Sequence, residues 1–214
     1  MPVAGPQYPV NLVLQGRRVL VVGAGAVAAR KVDGLLACGA VVAVVAPEVG
    51  PEIRALAEAG AIELRQGTYR ADDLDGAWLA VTATDEAEVN RAVFDDGEAR
   101  RMWVNAADDP LSCSFTLPSV VRQGPVMVTV ATGGHSPALA TWLRRHVASE
   151  LGPEYAELAH LLAEARAQLQ AEGRSTEGLN WLSAIDSGML EMIRLGDVGR
   201  AKERLQACLS SSSG

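Results

Sequence analysis

Two groups of residues in this chain have the types and spacing for chemistry. Gly23-Ala24-Gly25-Ala26-Val27-Ala28 is a GxGxxA pattern that follows the apolar run Val19-Leu20-Val21-Val22 and opens a helix-forming stretch through Lys31. Glycines at a strand end let backbone approach a pyrophosphate, and the helix beyond offers that anion unpaired N–H groups and its positive dipole end. Ala28 stands in the third glycine's place. The spacing marks either a dinucleotide site, with Gly23, Gly25, Ala26 and Val27 about the phosphates, or a tight strand-to-helix turn that binds no nucleotide. The second group is Asp108-Asp109-Pro110, which follows the run Met102-Trp103-Val104-Asn105. Adjacent side chains of an extended segment point opposite ways, so one of the two carboxylates can face a cleft and serve as a base. The other reading is a pair of turn aspartates.

A ribose hydroxyl calls for an acidic partner roughly twenty positions past the glycines, where the second strand ends. Glu48, next to Pro47, is the candidate, either as that acceptor or as an exposed helix-start carboxylate. No arginine stands at this strand end for a 2′-phosphate, since Arg54 falls on the next helix, so NAD is expected over NADP. None of Tyr8, Tyr69 and Tyr155 has a lysine four residues later, which argues against a short-chain alcohol dehydrogenase. His135 sits in a second glycine loop, Gly133-Gly134-His135-Ser136-Pro137, as a ligand or metal contact or simply as a loop residue; His146 and His160 fall on helices. Cys38, Cys113 and Cys208 are odd in number and far apart, so they read as reduced fillers, and no metal site is expected.

The net charge of −7 with no basic stripe argues against a nucleic-acid partner. Lys31 and Lys202 are the only lysines, and the remaining cations are arginines. Arginine's fork of donors suits carboxylates, so this usage reflects either an acidic ligand or codon bias. No apolar run is long enough to span a membrane, and the N-terminus lacks the basic and apolar regions of a signal peptide, so a cytoplasmic location is expected.

Those groups need a frame to hold them. With 214 residues, 49% of them hydrophobic, the chain can fill a nucleotide domain and a smaller helical one. Apolar strand patterns at 19–22, 41–46, 62–66, 78–83 and 102–105 alternate with helical ones, including 51–59 and a helix capped by Thr84 or Asp85 and running to about Arg101. That alternation predicts a parallel sheet with ligands at the strands' carboxyl ends. The pattern changes near residue 111. Residues 115–121 and 126–131 resemble a hairpin, Ser136 caps a helix from Pro137 to about Leu151, and an all-helical tail follows. In that tail Tyr155, Leu158, Leu162, Ala165 and Leu169 make an apolar stripe, Asp186 and Asp197 are placed to cap two helices, and 210–214 is expected to be loose.

VVGAGAVAARK with Gly39-Ala40 and Val45-Ala46-Pro47, Ala83-Thr84-Asp85 with Val89-Asn90, and Val104-Asn105 followed by Asp108 occur in a specific order. With Ser114-Phe115, Pro118-Ser119 and the Gly133–Pro137 loop, they resemble the precorrin-2 dehydrogenase family. That family includes the bifunctional dehydrogenase/ferrochelatases and the corresponding half of siroheme synthase. The expected fold is α/β: a Rossmann-like NAD-binding domain over 1–110, a small β-rich region over 111–151 and a C-terminal helical domain over 152–214. The resemblance implies oxidation of precorrin-2 to sirohydrochlorin with NAD, in siroheme or cobalamin synthesis. It places catalysis on Asp108, with Pro47, Glu48 and Thr84 joining the glycine turn around NAD. Asn105, Thr132, Gly133, His135 and Arg144 fall toward the tetrapyrrole substrate, with Arg145 a further clamp. An intertwined homodimer is implied, made through the 111–151 region. His135 departs from the small residue or lysine expected there, and Ala26 from a polar one. Two other readings stand beside this one: the same cleft also inserts Fe2+ or Co2+, or the chain is a non-catalytic NAD-sensing module.

Overall fold

Apolar, β-branched runs separated by helix formers give five parallel strands in a computed structural model of the chain, which describes residues 5–107 and 109–211. In chain order the elements are β1 (Arg18–Val22), α1 (Ala26–Leu36), β2 (Val41–Ala46), α2 (Pro51–Glu58), β3 (Glu63–Gln66), β4 (Leu79–Thr82), α3 (Ala87–Ala99) and β5 (Trp103–Ala106). The strand order is β3-β2-β1-β4-β5, so the winding reverses between β1 and β4. Val22 lies opposite both Val45 and Thr82, and Thr82 opposite Ala106, which brings four carboxyl ends to one edge.

Strand alternation divides the core between the two faces of the sheet. Val19, Val21, Val42, Val44 and Val81 pack with Ala28, Ala29 and Val32 of α1 and Ile53 of α2. Leu20, Val22, Ala43, Val45, Ala80 and Val104 pack with Leu74 and with Val93 of α3. Burying a Val or Leu side chain stabilises by about 1.5–3 kcal/mol, so these two layers are what fix the strand ends in register.

The chain divides into two compact units, one running to Leu117 with Gly133–His135, the other Pro118–Thr132 with the residues from Ser136 onward. In the second, β6 (Ser119–Gln123) and β7 (Val126–Val130) form an antiparallel hairpin. Its two-residue loop begins at Gly124, whose φ of 54° suits a glycine. α4 (Pro137–Glu150) and α5 (Glu154–Ala171) follow, then α6 (Trp181–Ala184), α7 (Leu190–Arg194) and α8 (Val198–Ser211). Leu158, Leu161, Leu169, Met189, Ile193, Leu205 and Leu209 form the buried core of this helical part. No helix among the described residues is long and apolar enough to cross a membrane.

Several local expectations need correcting. α3 is capped at Glu86 with no side-chain bond, because the Thr84 hydroxyl instead closes a short turn by accepting from the Glu86 N–H at 3.1 Å. It ends at Ala99, and Arg101 takes a left-handed φ of 56°. Residues 115–118 are not strand. Ser114 bonds Val104 of β5 instead, donating from its N–H at 2.8 Å and accepting from the Val104 N–H at 2.7 Å. Leu161 is buried beside the expected stripe of α5. Asp197 does cap α8, accepting from the Arg200 N–H at 3.1 Å. Asp186 caps nothing; it lies in a π-helical turn, Ile185–Met189, broken by Gly188 at φ 89°. Ser210 and Ser211 belong to α8 rather than to a tail.

Candidate functional site

The carboxyl edge of the sheet is built around the glycine turn. Gly23 has φ 109°, and a Cβ there would stand 2.3 Å from the Ala83 carbonyl oxygen. Its N–H donates to the Val45 carbonyl at 2.9 Å, so the turn is pinned to β2 on one side and pressed on the loop after β4 on the other. The Ala24 carbonyl accepts from the Gly50 N–H at 3.0 Å, and a Cβ at Gly50 would meet that same oxygen at 2.7 Å. Gly25 is different. Its φ of −85° is ordinary, and a Cβ added to it would meet nothing within 4 Å.

Beyond Gly25, α1 starts with no side-chain cap and no acidic residue in its first turn. The leading N–H groups of a helix have no partner inside it. Ala26 and Val27 are exposed, while Ala28 is fully buried against the sheet. A cradle kept clear by missing side chains, facing uncapped N–H groups, fits the pyrophosphate of a dinucleotide.

Pro47 and Glu48 lie exposed at the end of β2. The Pro47 carbonyl accepts from the Gln66 side chain at 3.1 Å, and Glu48 makes no side-chain hydrogen bond or ion pair among the described residues. Thr84, just past β4, is half-buried, and its carbonyl accepts from the Asn90 side-chain amide at 3.0 Å.

At the end of β5, Asn105 is buried, and its amide N–H donates to the Phe115 carbonyl at 2.9 Å. Cys113 lies alongside. Its sulfur accepts from the Ala106 N–H at 3.2 Å, and its thiol reaches the carbonyls of Ala106 at 3.2 Å and Asp109 at 3.3 Å. Burial pushes the Cys113 thiol pKa up, which keeps it a protonated donor. The Asp109 carboxylate caps the short turn that follows, accepting from the Leu111 N–H at 3.2 Å. Asp108 lies outside the described residues.

The later glycine loop has its own order. The Thr132 hydroxyl accepts from the Ser136 N–H at 3.2 Å and donates to the Ser136 carbonyl at 3.0 Å. Ser136 caps α4 by accepting from the Leu139 N–H at 3.1 Å, with Pro137 in the first turn. Gly133 has φ 59°, and His135 is exposed. On α4, Arg144 is half-buried and Arg145 exposed, and the Trp142 and His146 rings stack 5.5 Å apart.

Gly23, Gly25, Pro47, Glu48, Thr84 and Asn105 therefore share one edge of the first unit, as the alternation of elements predicts. Two residues were not foreseen in this role. Cys113, expected as a filler, ties down the turn after β5, and Asn90 holds the loop after β4. Cys113 carries no spacing signal, because its bonds depend on where the backbone returns, whereas Asn90 stands in the motif with Ala83-Thr84-Asp85 but its bond to Thr84 does not show there. No group of three or more His, Cys, Asp or Glu among the described residues could hold a metal ion.

A sequence family described as Putative NAD(P)-binding matches residues 10–119. The chain belongs to this NAD(P)-binding family. It is also 38% identical over 201 residues to the siroheme synthase of Chromobacterium violaceum, covering 93% of this chain and 43% of that one. To the siroheme synthase of Methylobacillus flagellatus it is 37% identical over 205 residues, 94% of this chain and 44% of the relative. The chain thus spans less than half the length of these curated relatives. Among solved structures, SirC, precorrin-2 dehydrogenase, superposes with a TM-score of 0.74 at 27% identity, covering 94% of this chain and 98% of that one. The family resemblance read from the motifs holds, and so does the α/β fold expected with it.

Proposed function

We propose that this NAD(P)-binding chain oxidises precorrin-2 to sirohydrochlorin with NAD as cofactor. The observation that carries the proposal is the likeness to SirC, precorrin-2 dehydrogenase, because it extends over 94% of the chain, well beyond the NAD(P)-binding match at 10–119. Gly23 makes the tight turn against Ala83 that brings the pyrophosphate-binding backbone into place, Gly25 keeps that backbone clear, the first-turn N–H groups of Ala26 and Val27 hold the pyrophosphate, and Thr84 flanks it. Pro47 and Glu48 receive the ribose, and an acidic acceptor there favours NAD over NADP. Bound at this edge, NAD supplies an acceptor for the hydride that leaves the macrocycle.

Aromatising oxidation also releases a proton, and the Asp108 carboxylate is the base that takes it. Asn105, Thr132, Gly133, His135 and Arg144 are substrate-contact residues, the Arg144 guanidinium matched to a side-chain carboxylate. The protein acts as a cytoplasmic homodimer. Anaerobic incubation with enzymatically made precorrin-2 and NAD, followed through the sirohydrochlorin spectrum, tests this reading; an unchanged spectrum with authentic substrate overturns it. Ferrous or cobalt ion added afterwards shows whether the product is also metallated.

A further inference from the structure

The loop after β4 is one wall of the glycine turn, and its position is set tightly. Ala83 donates from its N–H to the Val22 carbonyl at 2.8 Å, and its own carbonyl fills the space where a Cβ on Gly23 would be. A small shift of residues 83–84 would widen or close the crevice beside the turn. α3, which follows, gives this loop no side-chain cap. What holds Thr84 is a pair of bonds: its hydroxyl accepts from the Glu86 N–H, and its carbonyl accepts from the amide of Asn90 at 3.0 Å.

Asn90 is an expensive residue for packing alone. It is 5% exposed, and its side-chain oxygen is buried with no hydrogen-bond partner. An unpaired buried acceptor is destabilising, and an apolar residue on this face of α3 would avoid that cost, as Val93 does one turn later. The amide therefore has a use for its donor half that outweighs its unpaired half. Aspartate at this place would present an acceptor to the Thr84 carbonyl, so the geometry calls for an amide specifically.

We infer that Asn90 is a positioning residue for the cofactor: acting through the Thr84 carbonyl, it sets the wall against which NAD is held at the glycine turn. The inference rests on the reading that this turn binds NAD. Titration calorimetry of NAD into the full chain, beside thermal melts without NAD, tests it with Asn90→Asp and Asn90→Ala. The expected result is a fall in NAD affinity of about fivefold to tenfold in both, because an unpinned Thr84 segment spends most of its time in positions that do not hold NAD. Asn90→Ala also loses the bond to the Thr84 carbonyl, so a modest fall in melting point is expected beside the fall in affinity. A purely structural role would lower the melting point but leave the affinity of the folded protein unchanged. Wild-type affinity in either folded variant overturns the inference. Should Asn90→Asp fail to fold with its buried carboxyl, Asn90→Ala decides by the same criterion. A wild-type chain that binds no NAD contradicts the reading of the site rather than the role of Asn90.

Discussion

The Cys113 sulfur and the Ala106 backbone are bonded in both directions, the sulfur accepting from the N–H and the thiol donating to the carbonyl, each at 3.2 Å. With the Asp109 carbonyl also in reach at 3.3 Å, one side chain closes the turn that leaves β5. Cys113→Ala should therefore cost about 1–2 kcal/mol, while Cys113→Ser keeps part of it, both read from denaturant midpoints. The thiol's raised pKa sets the pH dependence. Its contribution is complete below the ordinary thiol pKa, about 8.5, and declines as pH rises above that value toward the folded-state pKa. Cys113→Ala should flatten that alkaline decline, and a decline of unchanged size would remove Cys113 as its source.

Gly23 and Gly25 should separate folding from binding. Gly23→Ala puts a Cβ 2.3 Å from the Ala83 oxygen at φ 109°, so it should destabilise by at least about 2 kcal/mol. A Cβ at Gly25 meets nothing within 4 Å at an ordinary φ, so Gly25→Val should melt close to wild type while NAD affinity falls by about tenfold or more. Equal NAD affinity in Gly25→Val would take the pyrophosphate away from this turn.

Much of the sheet and its ligand edge is legible in the sequence because the signals are local. Val19–Val22 must be a buried strand, Gly23 and Gly25 must turn it into a helix, and Ser136-Pro137 states its cap outright. The Cys113 clasp is not local, since Cys113 reaches Ala106 only because Ser114 runs back beside Val104. The Asn90 bond is local, yet the motif that holds Thr84 and Asn90 does not show it, because it needs α3 to start at Ala87 and not at the expected threonine cap. Side chains that bond to returning backbone leave no period or motif to read. The π turn at Gly188 is similarly hidden, since Asp186 looks like any helix cap until the backbone around it is known.

In the helical unit, Arg194 donates to Glu154 at 2.8 Å, which holds the Glu154 carboxyl below its usual pKa. The stabilisation is complete above the unfolded carboxyl pKa and is lost as pH falls through the lowered one. Glu154→Gln should thus lower the melting point at neutral pH, and the difference from wild type should shrink on acidification. A difference that stays constant with pH would rule out this ion pair as its cause.

Glu48 should govern which dinucleotide is preferred. As an acceptor for the ribose 2′-hydroxyl it repels a 2′-phosphate, so Glu48→Gln should narrow the gap between NAD and NADP affinities, mainly by weakening NAD. Parallel titrations of both cofactors measure it, and an unchanged ratio would move the ribose partner elsewhere.

Anaerobic turnover of precorrin-2 with NAD in the wild-type chain, in Asp108→Asn and in Asp109→Asn, with NAD affinity measured on each, decides whether this site oxidises precorrin-2 and whether Asp108 is its base. The expected outcome is sirohydrochlorin from the wild type, NAD binding without turnover in Asp108→Asn, and near-normal turnover in Asp109→Asn, whose carboxylate caps the turn at Leu111. No sirohydrochlorin from a wild-type chain that binds NAD would contradict it, and full activity in Asp108→Asn would remove that aspartate from the chemistry.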